Sequence, residues 1–418
     1  MVASTDIKYY VHTNTNAPQL TNNFGCMIDV LDACLVNGFG SQTVSTLTAS
    51  GTTVTATFGS AHNFMQYQVI KIAGATQTEY NGEFRILTVP NANSITFQLA
   101  AAPSVTTATG TINCSLPPLG WLKPFSGTGK AAYRSSNTLL ASRPYLRVID
   151  ALDAAYTSTY AKYAKVGIVE DMSDIDTMIG VQAPYDSSAP TKNWVGTGSG
   201  TSGVNGWARW YYAASGVVSG GLINSQTPAA GNRQWILVGN GDYFYILPTT
   251  TVPSATVNTQ HASAYGFGAF KSLLNADNSC TFLQSQLTLS NNGASVNLNF
   301  GLVSSFASSS LLLLRDYAQS ANYKTANCLS LSSDTAGSGV NNVIGASTLT
   351  NTAPFAPVFI KEDLTNVLRG QIKNLFWLFQ QKPYSNFQLI EKDGALYIAA
   401  FIASTSNLGQ IVLKIGDL

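Results

Sequence analysis

Two apolar runs, Trp235-Ile236-Leu237-Val238 and Tyr243-Phe244-Tyr245-Ile246, flank the tetrapeptide Gly239-Asn240-Gly241-Asp242. Strand-like runs held apart by so short a Gly- and Asn-rich turn predict a β-hairpin. The rest of the chain follows the same format. Its apolar stretches are short and end at Gly, Asn, Asp or Ser, which favour turns. The longest, Ala395 to Ala403, stops at Ser404, far below the ~18 residues of a transmembrane helix. No interval of roughly 20–50 residues recurs, which argues against a solenoid or propeller.

Charge narrows the function classes. Lys+Arg number 22 and Asp+Glu 21, which is 10% of the 418 residues and a net charge of +1. Soluble domains carry about 25%. Nothing here forms the basic footprint of a nucleic-acid or anionic-membrane binder. Aromatics at 11% and hydrophobics at 45% supply a core and exclude intrinsic disorder. Ser, Thr and Asn make up about a quarter of the chain. A surface of hydroxyls and amides assembles without the desolvation cost of buried ions, so the composition favours a subunit of an assembly over a free enzyme. Met1 to Tyr10 lacks the basic start and apolar core of a signal peptide. The cysteines, Cys26, Cys34, Cys114, Cys280 and Cys328, are odd in number, widely spaced and contain no CxxC. They read as free, mostly buried thiols of a chain made in a reducing cytoplasm, with neither a disulfide framework nor a zinc site.

Periodicity gives the organisation. Met27, Val30, Leu31, Cys34 and Leu35 recur at three- and four-residue steps between Phe24 and Val36, and Asn37-Gly38 ends the helix they predict. From Val44 to Cys114 the pattern turns to alternation. Val54, Phe58, Ile70, Ile72, Phe84, Ile86, Ile95 and Phe97 form the expected core of four or five short strands, a small β-barrel or sandwich. A last edge strand is expected in Ala100 to Gly110. Beyond it, strands are expected at Tyr145 to Ile149, Ala161 to Val169, Ala208 to Tyr212, Gln234 to Val238 and Tyr243 to Leu247, and then near Val358 to Ile360, Leu375 to Phe379, Phe387 to Ile390, Ala395 to Ile402 and Gly409 to Ile415. The fold class is mainly β, with sandwich- or barrel-like domains, a short N-terminal helix and an inserted small β-barrel. The expected division is 1–43, part of the main β domain; 44–114, the inserted module; 115–270, the main β domain; and 271–418, a C-terminal β region.

Several segments resemble one family of tailed-bacteriophage virion structural proteins. They are Leu31-Asp32-Ala33-Cys34-Leu35-Val36-Asn37-Gly38-Phe39-Gly40, Gly120-Trp121 with Phe125 to Arg134, Tyr145-Leu146-Arg147-Val148, Met172-Ser173-Asp174-Ile175-Asp176-Thr177, Trp235-Ile236-Leu237-Val238, and Tyr265-Gly266-Phe267-Gly268. Leu368-Arg369-Gly370 and Pro383 fit more weakly. Around Gly74-Ala75 and Glu79-Tyr80-Asn81-Gly82 the inserted block is similar to small all-β modules of phage tail and head proteins. The resemblance implies a virion location without a position in the virion. It leaves the 44–114 module as an outward contact, a decoration or a neutral spacer.

Candidate chemistry is sparse. His12, His62 and His261 are scattered, and no Gly-x-Ser-x-Gly elbow or phosphate-binding loop occurs. The acidic cluster Glu170, Asp171, Asp174 and Asp176 allows three readings: a turn with local Asp–backbone bonds, an ion site, or a carboxylate pair of glycosidase type. Its spacing does not match an EF-hand. The aromatics Trp194, Trp207, Trp210, Tyr211 and Tyr212 suit core packing, an interface or a glycan platform. Trp207 and Trp210 are expected on opposite faces of a strand, with one in the core. Arg134, Arg147 and Arg209 are expected to pair with aspartates, Asp150 or Asp174 among them. The expected function is a structural subunit of the virion, in the tail, baseplate or head–tail region. Capsid decoration or head fibre, and a receptor- or glycan-binding tail protein, are the alternatives. Its expected partners are other virion proteins and further copies of itself, with host-surface contact open, and no catalytic residue, cofactor, metal, nucleic acid or membrane is expected.

Overall fold

The computed structural model describes residues 3–199, 206–215, 225–253, 263–287, 311–315, 324–329, 355–362, 365–378, 384–403 and 408–418. The chain opens with strand β1 (Lys8–Val11) and helix α1 (Cys26–Leu31), which continues as a π-helical segment over Asp32–Asn37. Met27, Val30, Leu31, Cys34 and Leu35 are all buried, as their spacing requires. The helix ends at Gly38, whose φ of 72° and close approach to the Leu116 carbonyl exclude a side chain.

Six strands follow: β2 (Phe39–Ser50), β3 (Thr53–Phe58), β4 (Val69–Ala75), β5 (Gly82–Asn91), β6 (Ser94–Gln98) and β7 (Gly110–Leu116). They close into a barrel in the order β2-β3-β6-β5-β4-β7. Val54, Ala56, Ile70, Ile72, Ile86, Ile95 and Phe97 fill it, and Phe84 stacks on Phe97 at 4.6 Å. The expected edge strand in 100–110 is reduced to a single antiparallel bridge of Thr107 to Thr48 on β2. β7 begins at Gly110 and pairs with both β2 and β4, so closure removes the edge altogether.

A seven-stranded sheet comes next: β8 (Leu122–Gly127), β9 (Lys130–Arg134), β10 (Tyr145–Ile149), β11 (Lys162–Met172), β12 (Met178–Ala183) and β13 (Ala208–Ala213), completed by β19 below. The remaining strands are β14 (Trp235–Gly239), β15 (Tyr243–Pro248), β16 (Tyr265–Ala269), β17 (Lys271–Ser272), β18 (Thr281–Gln284), β19 (Gln286–Leu287), β20 (Leu311–Leu313), β21 (Lys324–Leu329), β22 (Phe355–Glu362), β23 (Leu368–Leu378), β24 (Leu389–Lys392), β25 (Ala395–Ala403) and β26 (Leu408–Asp417). With β1, and without β19, they make a thirteen-stranded antiparallel sheet. The β14–β15 hairpin sits in it next to β1. The expected boundary at residue 270 falls inside this sheet, because β16 pairs with β18 across it.

The two sheets share one core. Trp210 of the smaller sheet stands edge-on to Phe244 at 6.1 Å and stacks on Tyr265 at 5.8 Å. That core is continuous with α1 and the barrel interior. On its other face the large sheet packs against itself, with Tyr9, Ile236 and Tyr245 meeting Leu396, Ile398 and Leu413. Cys34 and Cys114 are buried free thiols, while Cys26 and Cys280 are half-buried and free. The Cys328 side chain and His261 lie outside the described residues. Among the described residues, no helix is long and apolar enough to cross a membrane.

Candidate functional site

The acidic cluster and two of the aromatics, Trp194 and Tyr211, lie on the outer face of the smaller sheet. Alternation decides which residues reach it. In β11, Ala164, Val166 and Ile168 face the shared core, which turns Tyr163, Lys165, Gly167 and Val169 outward. Register then sets Arg147 of β10 beside Gly167, and Arg209 of β13 directly opposite Lys165. The loops before β11 and after β12 fold over this row and bury it.

Each cation is held differently. The Arg147 guanidinium donates to Asp176 Oδ1 at 2.8 Å and to the Ile175 carbonyl at 2.8 Å, and it lies 4.5 Å from the Trp194 ring. Its Nη1 has no hydrogen-bond partner in the structure, and the ring face compensates in part. Lys165 donates to Asp153 Oδ2 at 2.7 Å and to the Trp194 carbonyl. Burial pushes the Lys165 ammonium down, against the pull of Asp153. Asp153 also accepts from the Ala155 and Gly196 amides. These donors, Lys165 first, outweigh its desolvation and hold the carboxyl below the usual range. Arg209 is fully buried, with no carboxylate partner among the described residues. It donates to the Gly206 carbonyl and the Tyr211 hydroxyl, with its guanidinium 4.6 Å from the Tyr163 ring.

The acidic residues separate by role. Asp174 accepts from the Asp176 and Thr177 amides and forms a turn. Asp176 binds Lys130 and Arg147, with the Lys130 hydrogen bond the main reason its pKa is lowered. Glu170 pairs with Arg315 and accepts from the Val181 amide. Asp171 accepts from the neighbouring Met172 amide. Among the described residues, no three His, Cys, Asp or Glu side chains are placed to hold a metal ion.

The five aromatics are all buried. Trp194 covers the Arg147–Gly167 position. Trp207, Trp210 and Tyr212 belong to the shared core, and Tyr211 packs with Tyr163. Trp207 and Trp210 are therefore both internal, contrary to the opposite-face expectation: Trp207 precedes β13, where strand alternation has not begun. The expected aspartate partners also change. Arg134 donates to the Arg143 carbonyl, Arg209 meets no acid among the described residues, and Asp150 instead accepts from Tyr212 and from the first turn of α1. Sequence reasoning missed Asp153, Lys165 and Asn193. Asn193 Oδ1 accepts from the Trp207 and Ala208 amides and so ties the covering loop to β13.

Gly167 makes room for Trp194. A Cβ there would lie 2.6 Å from the indole ring. Gly167→Ala should cost about 1–3 kcal/mol by overpacking. In a Trp194→Ala background the same change should be nearly neutral. Urea denaturation of the four proteins of this double-mutant cycle checks the coupling.

No protein-family model matches the chain, and no curated protein matches it. Among solved structures the chain is similar to a phage phi92 endosialidase, at 11% identity and a TM-score of 0.16, over 91% of this chain and 52% of that one. It thus spans about half the length of that chain, and a likeness of this strength carries no argument about fold or activity.

Proposed function

We propose that the protein is a non-enzymatic structural subunit of a tailed-phage particle, placed in the tail, baseplate or head–tail region and acting as one of several copies. One observation carries the reading beyond the sequence resemblance. The chain has few charges and turns many of them inward. Five of its eight arginines, Arg85, Arg147, Arg209, Arg233 and Arg369, are buried. Arg85, Arg209 and Arg233 donate to backbone carbonyls. Charges spent inside stitch loops to sheets and leave an outer surface that associates without ion desolvation. At the candidate site the carboxylates are held by cations or amides, which suits a scaffold better than acid–base chemistry.

Mass spectrometry of purified particles, combined with gold-labelled antibody against the 44–114 barrel, tests the proposal. The chain should be present in particles, with label at the tail or neck. Label spread over the head would replace the tail placement by capsid decoration. Particles that lack the chain, or purified protein that cleaves a glycan, would refute the structural role.

A further inference from the structure

We propose that the inserted barrel guards a sheet edge, its side chains occupying the open side of β1 so that a second copy of this chain cannot pair there. β1 is the terminal strand of the thirteen-stranded sheet and, among the described residues, pairs only with β14. In an antiparallel ladder, alternate residues bond to the neighbour and the others point away. The His12 amide donates to the Trp235 carbonyl, so the even-numbered positions of β1 bond to β14, Tyr9 and Val11 face outward, and Ile7, just before the strand, offers its carbonyl to the barrel. Those three positions would be the template for a foreign strand.

The barrel supplies what that strand would have supplied. Arg85 Nη2 donates to the Ile7 carbonyl at 3.0 Å, and Gln68 Nε2 to the Tyr9 carbonyl at 3.1 Å. These acceptors are two residues apart, the repeat of a β-ladder. At the next step Asn14 closes the edge, since Val11 donates to Asn14 Oδ1 and accepts from the Asn14 amide. Asn14 and Gln68 also exchange a reciprocal pair of amide hydrogen bonds at 3.0 and 2.9 Å. Gln68 directly precedes β4, and Arg85 lies opposite Val69 across the β4–β5 pair, so the rigid barrel wall fixes both donors. The module is therefore docked along this flank, where the sequence left it as an outward contact or a spacer.

The test is the double substitution Gln68→Leu and Arg85→Met, which keeps bulk and removes both donors. Sedimentation should show at least a doubling of weight-average mass with rising concentration, and the outward amide of Val11 should exchange hydrogen faster in the dilute variant than in the parent. Adding Ile7→Pro, which blocks an edge without touching a ladder bond to β14, should restore the parent mass. Two results would overturn the proposal. One is a variant whose mass stays at the parent value at every concentration. The other is association that persists with Ile7→Pro, which marks general misfolding instead of strand pairing.

Discussion

Replacing Arg369 by Ala should destabilise the protein by about 3–5 kcal/mol, the cost of stripping one partner from a buried ion cluster. Arg369, Asp277 and Glu362 are all buried, the ion-pairing side chains at 0–1% exposure. The guanidinium spans both acids. Nη2 lies 2.9 and 2.8 Å from the Asp277 oxygens, and Nη1 lies 2.6 Å from Glu362 Oε1. It also donates to the Ser279 and Arg315 carbonyls. The cluster joins the segment between β17 and β18 to β22 and β23, three places along the large sheet. Without Arg369 two carboxylates remain out of water with one shared cation gone. Arg369→Lys keeps the charge but loses the fork geometry, so its loss should be smaller. A triple change, Arg369→Met with Asp277→Leu and Glu362→Met, should cost less than Arg369→Ala, because no uncompensated ion is left. Equilibrium urea unfolding ranks the three variants, and equal losses for Arg369→Ala and the triple variant would show that packing, not the lost cation, sets the cost.

That cluster marks where the sequence stops being readable. Local spacing reports which face of an element is buried. It therefore located α1 through Met27, Val30 and Leu31, the barrel through Val54, Ala56 and Phe58, and the β14–β15 hairpin through its turn. Spacing says nothing about partners brought together by tertiary closure. Arg369 meets Asp277 across 92 positions of sequence. Glu170 and Asp176, close enough in sequence to look like one site, leave in different directions, one to Arg315 and the other to Lys130 and Arg147. The aromatic run from Trp207 to Tyr212 was visible as a cluster, but its burial depends on the β14–β16 strands packed over it. The barrel's strands were legible, whereas its closure by β7 and its docking on β1 depend on register and on two side chains, Gln68 and Arg85, that carry no periodic signal.

Titration of Asp150 should lower the stability of the protein as pH rises from about 4 to 7. Asp150 is buried between the first turn of α1 and β13. Its Oδ2 accepts from the Met27 amide at 2.9 Å and its Oδ1 from the Tyr212 hydroxyl at 2.6 Å. Burial raises its pKa from 3.8 to about 6, and those donors, Tyr212 first, only partly offset the desolvation. The folded state therefore holds a proton that the unfolded chain has released between pH 3.8 and 6. The favourable contribution is full below the unfolded pKa and is lost as pH rises through the folded one. At 1.36 kcal/mol per pKa unit the span is roughly 3 kcal/mol. Asp150→Asn stays neutral throughout, so it should flatten this part of the profile and lie nearest the parent in stability under acid conditions. Urea denaturation at pH 4, 5, 6 and 7 measures both curves. Parallel profiles for the parent and Asp150→Asn would show that the carboxyl does not titrate in this window, and the link from α1 to β13 would then rest on a carboxylate ionised throughout.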